Sequence, residues 1–224
     1  MSVQEQLGAY NPPADTGLDI LYQDEAILLV NKPSGLLSVP GRGEDKQDSL
    51  ASRVQAEIPD AMIVHRLDMC TSGIMLMARG EGVHRALNRL FQERKISKRY
   101  IARVAGQLDP AEGIIDLPLI TDWPNRPRQK VDHTMGKPSI TRYRLIAYDP
   151  ESDSSRVELI PETGRSHQLR VHMLAIGHPI LGDNLYGGPD NQARAERLQL
   201  HAVELGFVHP LSGLRQQFES DCPF

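Results

Sequence analysis

The chain has 224 residues, 40% of them hydrophobic and 24% charged, and at this length a chain buries a sizeable core without disulfides or metals. Cys70 and Cys222 form no spacing motif, and the chain shows neither a signal peptide nor an apolar segment long enough to span a bilayer, so we expect a cytoplasmic protein without a membrane partner. The net charge is −4, yet residues 79–144 hold 14 Lys/Arg against 7 Asp/Glu, which favours an anionic partner for one face or, alternatively, a segregated solvated surface.

The first half of the chain predicts short strands and two helices. Residues 1–18 contain Pro12 and Pro13 and are expected to form a loosely held tail. The elements that follow are two strands around an acidic turn in 19–35, a helix at 48–58 capped by Asp48 or Ser49, strands at 61–64 and 73–78, and a helix at 81–94.

The second half is richer in predicted strands. Its elements are a strand at 98–106, strands at 141–148 and 156–161, a helix at 167–176 that stops at Gly177, and strands near 198–205 and 214–219. Residues 118–139 contain four prolines and predict a long loop, which in a folded domain is usually functional or disordered. Strands that mostly follow one another predict an α+β fold with a mixed, largely antiparallel sheet and flanking helices.

Several common catalytic motifs are missing from the sequence. It has neither a phosphate-binding loop nor a dinucleotide-binding glycine motif, so we expect no nucleotide cofactor. His167 and His172 are five residues apart, on different faces of a helix, and a metal site is not expected. The remaining candidates are carboxylate, tyrosine and arginine chemistry.

The segment HRLDMCTSG (65–73) lies between two apolar strands. It places a potential base, a guanidinium and a carboxylate on a turn with rigid flanks, an arrangement typical of catalytic groups. A turn-forming or capping role for Asp68 is the alternative.

The segment GRSHQLRVH (164–172) places Arg165 at or before the start of a helix. A cation is unfavourable at that end of the helix dipole, so an external anion is indicated, either a phosphate or a carboxylate such as Asp68. An ordinary surface ion pair explains Arg165 equally well.

Three segments together resemble the RluA family of pseudouridine synthases, namely HRLDMCTSG, KRYIARV (98–104) and TGRSHQLRVHMLAIGHPILGD (163–183). The likeness runs from about residue 19 to the C-terminus. DWPNRPRQKV (122–131) and NKPSGLLSVPG (31–41) further resemble the dual-specificity subgroup, which acts on 23S rRNA and on the anticodon stem-loop of tRNA. The resemblance implies the pseudouridine synthase fold, an RNA-binding cleft across the sheet, RNA stem-loops as partners and no cofactor.

The resemblance also implies roles for individual residues. Asp68 matches the catalytic aspartate, and Arg66 matches the arginine that enters the RNA stem and helps displace the uridine. Tyr100 matches the tyrosine that stacks on uracil and takes the C5 proton, although by itself it indicates only a half-buried strand tyrosine. Arg165 matches the arginine that pairs with the catalytic carboxylate, and Leu200 aligns with an apolar residue of the base pocket.

The basic stretch then becomes a candidate phosphate-binding surface. The candidates are Arg85, Arg89, Lys95, Lys98, Arg126, Arg128 and Lys130. We expect a tail at 1–18 and one catalytic domain at 19–224 without an S4 RNA-binding domain, acting as a monomer.

Two other functions remain open at this point. One is an RNA glycosidase that uses the same carboxylate to release uracil, and the other is an RNA-binding module without activity. The sequence also leaves open whether Asp68 attacks C1′ or removes a proton from C2′.

Overall fold

Residues 10–224 are described by a computed structural model, and they divide into two units. The first unit holds residues 10–98 and 201–223, and the second holds residues 99–200 with Phe224. Residues 1–9 of the predicted tail lie outside the described residues.

The strands, in chain order, are β1 (Ile20–Gln23), β2 (Ile27–Lys32), β3 (Ala61–Ile63), β4 (Ser72–Arg79), β5 (Ser97–Ala105), β6 (Glu112–Asp116), β7 (Leu119–Thr121), β8 (Gln129–Val131), β9 (Ile140–Asp149), β10 (Ser154–Pro161), β11 (Leu200–Val208) and β12 (Arg215–Glu219). The helices are α1 (Leu50–Glu57), α2 (Glu81–Gln92), α3 (Gln168–Ala175) and α4 (Gly188–Ala193). Short 3₁₀ turns cover Glu44–Lys46 and Trp123–Asn125.

The first unit is built on a sheet in which β2 lies between β1 and β4, and β11 pairs with β4 near its start and with β12 further along. All of these pairings are antiparallel except β4 with β11, which run parallel where Ser72 faces His201. β3 pairs with β4, and α2 packs beside them. The core is formed by apolar side chains of the strands and α2, including Ile27, Leu29, Ile74, Leu76, Leu87 and Phe207.

Local hydrogen bonds explain why the first elements form where the sequence predicts them. The Asp24 carboxylate accepts the backbone N–H groups of Ala26 and Ile27, both at 2.8 Å, and so closes the turn between β1 and β2. Ser49 caps α1 through a reciprocal pair of hydrogen bonds with Ser52. Both the acidic turn and the Ser49 alternative for the helix cap are confirmed.

The described part of the predicted tail is anchored to the first unit. The Tyr10 hydroxyl donates to the carbonyl of Asp48 and accepts the N–H of Leu37, both at 3.0 Å. Arg53 of α1 donates to the carbonyl of Pro13 at 2.6 Å. Residues 10–19 lack regular structure as expected, but the expectation of a loosely held segment is wrong for Tyr10 and Pro13, because both are hydrogen-bonded to the folded unit.

The second unit contains an antiparallel sheet with the strand order β5, β10, β9, β6. β7 and β8 form a separate hairpin inside the segment 118–139, which was predicted to be a loop. That prediction is wrong for the hairpin, because strands of three residues between prolines leave no periodic pattern in a sequence. β6 and α4 were not predicted either.

The sheet architecture confirms the predicted α+β fold with a largely antiparallel sheet. None of the helices in residues 10–224 combines the length and the apolar character that a membrane crossing requires.

Candidate active site

Asp68 lies on the loop between β3 and β4 in the first unit. Asp68 itself is half-buried, the preceding Leu67 is buried, and Arg66 is exposed. The carbonyl of Asp68 accepts the N–H of Thr71 at 3.0 Å, which turns the chain into β4. The predicted placement of Asp68 and Arg66 on one strand-linking turn is therefore confirmed, while their chemical roles stay predictions.

The segment after β2 holds the Asp68 loop through backbone contacts. The Ser38 hydroxyl donates to the carbonyl of Leu67 at 2.7 Å and accepts the N–H of Leu67 at 3.1 Å. Ser34 donates to the carbonyl of Cys70 at 2.7 Å, and the N–H of Gly35 donates to the carbonyl of Met69 at 2.9 Å. The backbone is thus fixed on both sides of Asp68, which limits where its carboxylate can point.

Lys32 is the buried centre of this support. The whole residue is shielded from solvent, and its Nζ donates to the carbonyls of Pro33, Leu36 and Met69 at 2.9, 2.7 and 2.9 Å. A buried ammonium is costly unless its three protons find acceptors, and here each of them does. Because one acceptor belongs to Met69, the charge of Lys32 ties the Asp68 loop to the segment after β2. The sequence motif NKPSG contained this lysine without indicating its partners.

His65 is not available as the base that the sequence suggested. Its Nε2 accepts the N–H of Leu76 at 2.9 Å, and its ring stacks on Phe91 with centroids 4.8 Å apart. Burial, with a smaller contribution from the positive charge of Lys98, lowers the pKa of His65 from 6.5 to about 3. The imidazole therefore stays neutral and supports the loop, and the hypothesis of a base at this position is wrong.

We expect His65 to make the protein less stable in acid. Below its ordinary pKa of 6.5 the unfolded chain binds a proton that the folded chain rejects until the pH approaches 3. The free energy of unfolding is therefore not reduced by His65 above pH 6.5. Below that pH, His65 lowers it by about 1.4 kcal/mol per pH unit. In His65→Gln, urea unfolding measured between pH 7 and pH 5 should show a smaller loss of stability per pH unit than in the wild type. The variant should also be less stable than the wild type at pH 7.

His133→Gln is the matched control, because residue 133 is exposed. Its pH profile should follow that of the wild type. Burial also lowers the pKa of His172, so part of the acid sensitivity should persist in both variants. Identical pH slopes in wild type and His65→Gln would contradict the account of His65.

Gly73 permits a close approach of β4 to β11. Its φ is +115°, and a Cβ at this position would lie 2.3 Å from the carbonyl oxygen of Ala202. Beside it, the Ser72 hydroxyl is 2.8 Å from Nδ1 of His201, whose Nε2 is 3.1 Å from the Ser220 hydroxyl. The end of the HRLDMCTSG segment is thus fixed by a backbone contact that only glycine allows.

Tyr100 and Leu200 belong to the second unit. Tyr100 lies in β5 opposite Leu159 of β10 and is half-buried. Leu200 is the first residue of β11 and is 3% exposed. Their predicted positions on strands are confirmed, and their roles at the uracil stay predictions.

Arg165 lies three residues before α3, as its motif predicted. Its backbone N–H donates to Oε1 of Gln168 at 3.1 Å, and its guanidinium Nε donates to the carbonyl of Pro138 at 3.4 Å. Gln168 also accepts the Thr163 hydroxyl at 2.7 Å, so its side chain orders the turn that carries Arg165. The assignment of Arg165 as partner of the catalytic carboxylate stays a prediction.

Sequence reasoning missed a buried ion pair within the same segment. Arg170 donates to both carboxylate oxygens of Asp183, at 2.7 and 2.6 Å, and both side chains are almost fully buried. Asp183 Oδ1 also accepts the N–H groups of Leu185 and Tyr186. The available signal was a charged residue placed between the apolar Leu169 and Val171 in a predicted helix.

The basic candidates of the first unit lie on α2, on the turn that follows it and at the start of β5. Arg85 and Arg89 are exposed on α2, and Arg85 forms an i,i+4 ion pair with Glu81 at 3.4 Å. Lys95 pairs with Glu93 at 2.6 Å. Burial, assisted by the charge of Arg94, lowers the pKa of Lys98. These residues share one unit, but ion pairs already engage two of the four candidates.

The remaining basic candidates lie together on the β7–β8 hairpin of the second unit. Arg126 and Lys130 are exposed, and Arg128 is half-buried. The guanidinium of Arg126 lies over the ring of Trp123, 4.6 Å from its centroid. Sequence reasoning selected the charges but missed Trp123, although it is the only tryptophan of the chain. Within residues 10–224, no three His, Cys, Asp or Glu side chains are grouped so that they could hold a metal ion.

Comparison with known proteins gives a consistent result. A family model described as RNA pseudouridylate synthase matches residues 26–175. The dual-specificity RNA pseudouridine synthase RluA of Escherichia coli strain K12 is 54% identical over 215 residues, which cover 96% of this chain and 98% of that protein. The protein of the same name from Yersinia pestis is 55% identical over 205 residues, covering 92% of this chain and 99% of that protein.

A solved structure supports the same relationship. The human RNA pseudouridylate synthase domain containing 1 has a TM-score of 0.79 and 28% identity, covering 96% of this chain and 87% of that chain. The resemblance inferred from the HRLDMCTSG, KRYIARV and TGRSHQLRVH segments is therefore confirmed. Because the family model spans more than half of the sequence and the bacterial relatives match nearly all of it, the chain belongs to the RNA pseudouridylate synthase family.

Proposed function

We propose that this protein isomerises selected uridines to pseudouridine in 23S rRNA and in the anticodon stem-loop of tRNA. The names of both bacterial relatives describe dual-specificity RNA enzymes. The structural observation that carries the proposal is the position of Asp68, on a loop whose backbone is hydrogen-bonded on both sides. We further propose that residues 19–224 form the catalytic domain and that the protein acts as a cytoplasmic monomer.

The reaction needs no external oxidant or reductant because substrate and product are isomers. The C1′–N1 bond breaks, the uracil turns, and C5 bonds to C1′. The C5 proton is lost and N1 gains one, so atoms and electrons balance. An ionised Asp68 serves either as nucleophile at C1′ or as base at C2′, and both routes release the uracil for rotation.

Tyr100 and Arg165 complete the proposed chemistry. An aromatic ring offers a stacking surface to the rotating uracil, and a phenolic oxygen can accept the C5 proton. A guanidinium favours the ionised form of a neighbouring carboxylate, which is the role we assign to Arg165. Leu200 is proposed to line the apolar side of the base pocket.

The target base must leave its stack before the reaction can occur. Extrusion of a nucleotide costs a few kcal/mol, and a side chain that fills the vacated space offsets part of that cost. Arg66 suits this role because it is exposed and lies two residues from Asp68. We assign the phosphates on either side of the flipped nucleotide to the basic candidates on α2, on the turn after it, at the start of β5 and on the β7–β8 hairpin.

Arg89→Ala tests the proposed phosphate contacts on α2. The residue is exposed on the helix, and removing one phosphate contact should weaken RNA binding about threefold to tenfold and make the salt dependence of log Kd shallower by about one unit. The measurement is a filter-binding titration of an RNA stem-loop at several salt concentrations.

Arg142→Ala provides the control for this test. Arg142 is exposed, pairs with Glu162 at 2.6 Å and has no proposed RNA contact, so its salt slope should equal that of the wild type. An unchanged slope in Arg89→Ala would remove this arginine from the phosphate contacts.

The proposed substrates are tested by mapping pseudouridines in cells with and without the protein. Sites in both 23S rRNA and tRNA should be lost from the deficient cells and restored by the wild-type gene, but not by an Asp68→Asn gene. Loss in only one RNA class would overturn the dual specificity while leaving the reaction itself in place.

A further inference from the structure

Trp123 is an exposed aromatic side chain on a cationic hairpin. It begins the 3₁₀ turn between β7 and β8, and it is 65% exposed. Arg126 places its guanidinium 4.6 Å from the ring centroid, over the indole. A single exposed apolar side chain is common on protein surfaces, so it is the rigidity and the charge of the hairpin around this ring that indicate a partner.

The hairpin holds Trp123 in a defined position. The N–H of Asp122 donates to the carbonyl of Arg128 at 2.9 Å. The backbone N–H of Asn125 donates to the carbonyl of Asp122 and its side-chain amide donates to the Asp122 carboxylate, both at 2.9 Å. The Tyr186 hydroxyl accepts the N–H of Gln129 at 2.8 Å and so ties β8 to the body of the unit. Val131 packs against the buried cluster of Leu119, Val171, Leu185 and Tyr186. Little conformational entropy then remains to be lost when a ligand meets the indole.

The positive charge around Trp123 favours an anionic ligand. Arg126, Arg128 and Lys130 all lie within eight residues of the ring, and Asp122 is the single carboxylate between residues 119 and 131. Asp132, directly after this stretch, interacts electrostatically with Lys130, whereas Arg126 pairs with no carboxylate within 4.0 Å among residues 10–224. Nε of Arg128 is buried and lacks an acceptor within residues 10–224. A hydrophobic protein partner does not require this excess of cations.

Single-stranded RNA has both unpaired bases, which fit the exposed indole, and phosphates, which fit the cations of the hairpin. Its unstacked bases lie well on aromatic rings and on guanidinium planes, and its phosphates bind nearby cations. We infer that Trp123 and Arg126 form a stacking platform for one unpaired nucleobase of the RNA substrate, with Arg128 and Lys130 on its flanking phosphates. The inference rests on the proposed function, because it takes RNA as the ligand.

The chain's single tryptophan makes this inference directly measurable. A base stacked on the indole quenches its fluorescence, and all tryptophan emission of the protein comes from Trp123. The emission of the wild type is titrated with a short RNA stem-loop that has a single-stranded loop, and separately with a fully paired RNA duplex of the same length. We expect quenching by the stem-loop that saturates with its binding curve, and little quenching by the duplex.

Substitutions then measure the contribution of the ring to affinity. Trp123→Ala should weaken stem-loop binding about 5- to 150-fold, and Trp123→Phe should stay within about threefold of the wild type. Leu214→Ala is the control, because Leu214 is an apolar side chain that is 67% exposed and has no proposed RNA contact. Its affinity should be unchanged.

Three outcomes would overturn the platform. They are an unquenched emission at saturating stem-loop, equal quenching by the duplex, and an emission that changes with protein concentration alone, which would assign Trp123 to a second copy of the chain. Pseudouridine formation measured in the same mixtures separates this inference from the proposed function. Product without quenching refutes only the platform, whereas quenching without product, in a stem-loop with the anticodon-loop sequence of a tRNA substrate, supports the platform and contradicts the isomerase.

Discussion

Asp68→Asn is expected to lower turnover by about 10⁴-fold or more, which corresponds to about 5.5 kcal/mol of lost transition-state stabilisation. Asparagine keeps the size of the side chain, but its amide is neither a nucleophile for C1′ nor a base for C2′. RNA affinity should stay within about tenfold of the wild type, because only one charge changes. Single-turnover kinetics with saturating enzyme and a binding titration measure the two quantities separately.

Two further variants make this test specific. Asp68→Glu keeps the charge but moves the carboxylate by one methylene, and a misplacement of about 1 Å costs about 100-fold in rate. Asp45→Asn makes the same charge change at an exposed position of the first unit and should react at the wild-type rate. Near-normal turnover of Asp68→Asn would remove this carboxylate from the mechanism.

Gly73→Ala is expected to give the largest loss of stability, about 4 kcal/mol or more. The added Cβ would lie 2.3 Å from the oxygen and 2.5 Å from the nitrogen of Ala202, both backbone atoms of β11 that cannot rotate away. A φ of +115° is also strained for any residue with a Cβ. Since domains are stable by only about 5–15 kcal/mol, most of the variant should be unfolded or aggregated at 37 °C.

Gly82→Ala is the matched control for this prediction. Gly82 lies in α2, and its added Cβ would meet no atom within 4 Å. Replacing a helical glycine by alanine should stabilise the protein by about 0.5–1 kcal/mol. Urea unfolding of both variants gives the comparison, and a Gly73→Ala protein as stable as the wild type would contradict the close approach of β4 and β11.

Local sequence patterns were sufficient where the structure is determined locally. In the acidic turn before β2, the Asp24 carboxylate accepts the N–H groups of the residues two and three positions later, and the cap of α1 depends on Ser49 and Ser52. Both interactions join neighbours in the chain, so their residue types alone predicted them. The same holds for the loop that carries Asp68, because two apolar strands mark its ends.

Contacts between residues far apart in the chain could not be predicted from local sequence patterns. Nothing in the sequence indicated that Lys32 bonds to Met69, 37 residues away, or that Arg170 and Asp183 form a buried pair. His65 was proposed as a base, but the N–H of Leu76 and burial make it a neutral acceptor. The β7–β8 hairpin was assigned to a loop because its strands have three residues each and depend on Tyr186 and Val171 for support.

The release of tritium from RNA labelled at uridine C5 tests the central claim most directly. A carboxylate at position 68 that frees uracil for rotation and rejoining should release one tritium to water for each pseudouridine formed, with the RNA strand intact. Release of labelled free uracil and an abasic site would instead show a glycosidase, and retention of all label in bound RNA would show a module that binds without reacting. Either of these results would contradict the account of this protein as an isomerase acting through Asp68.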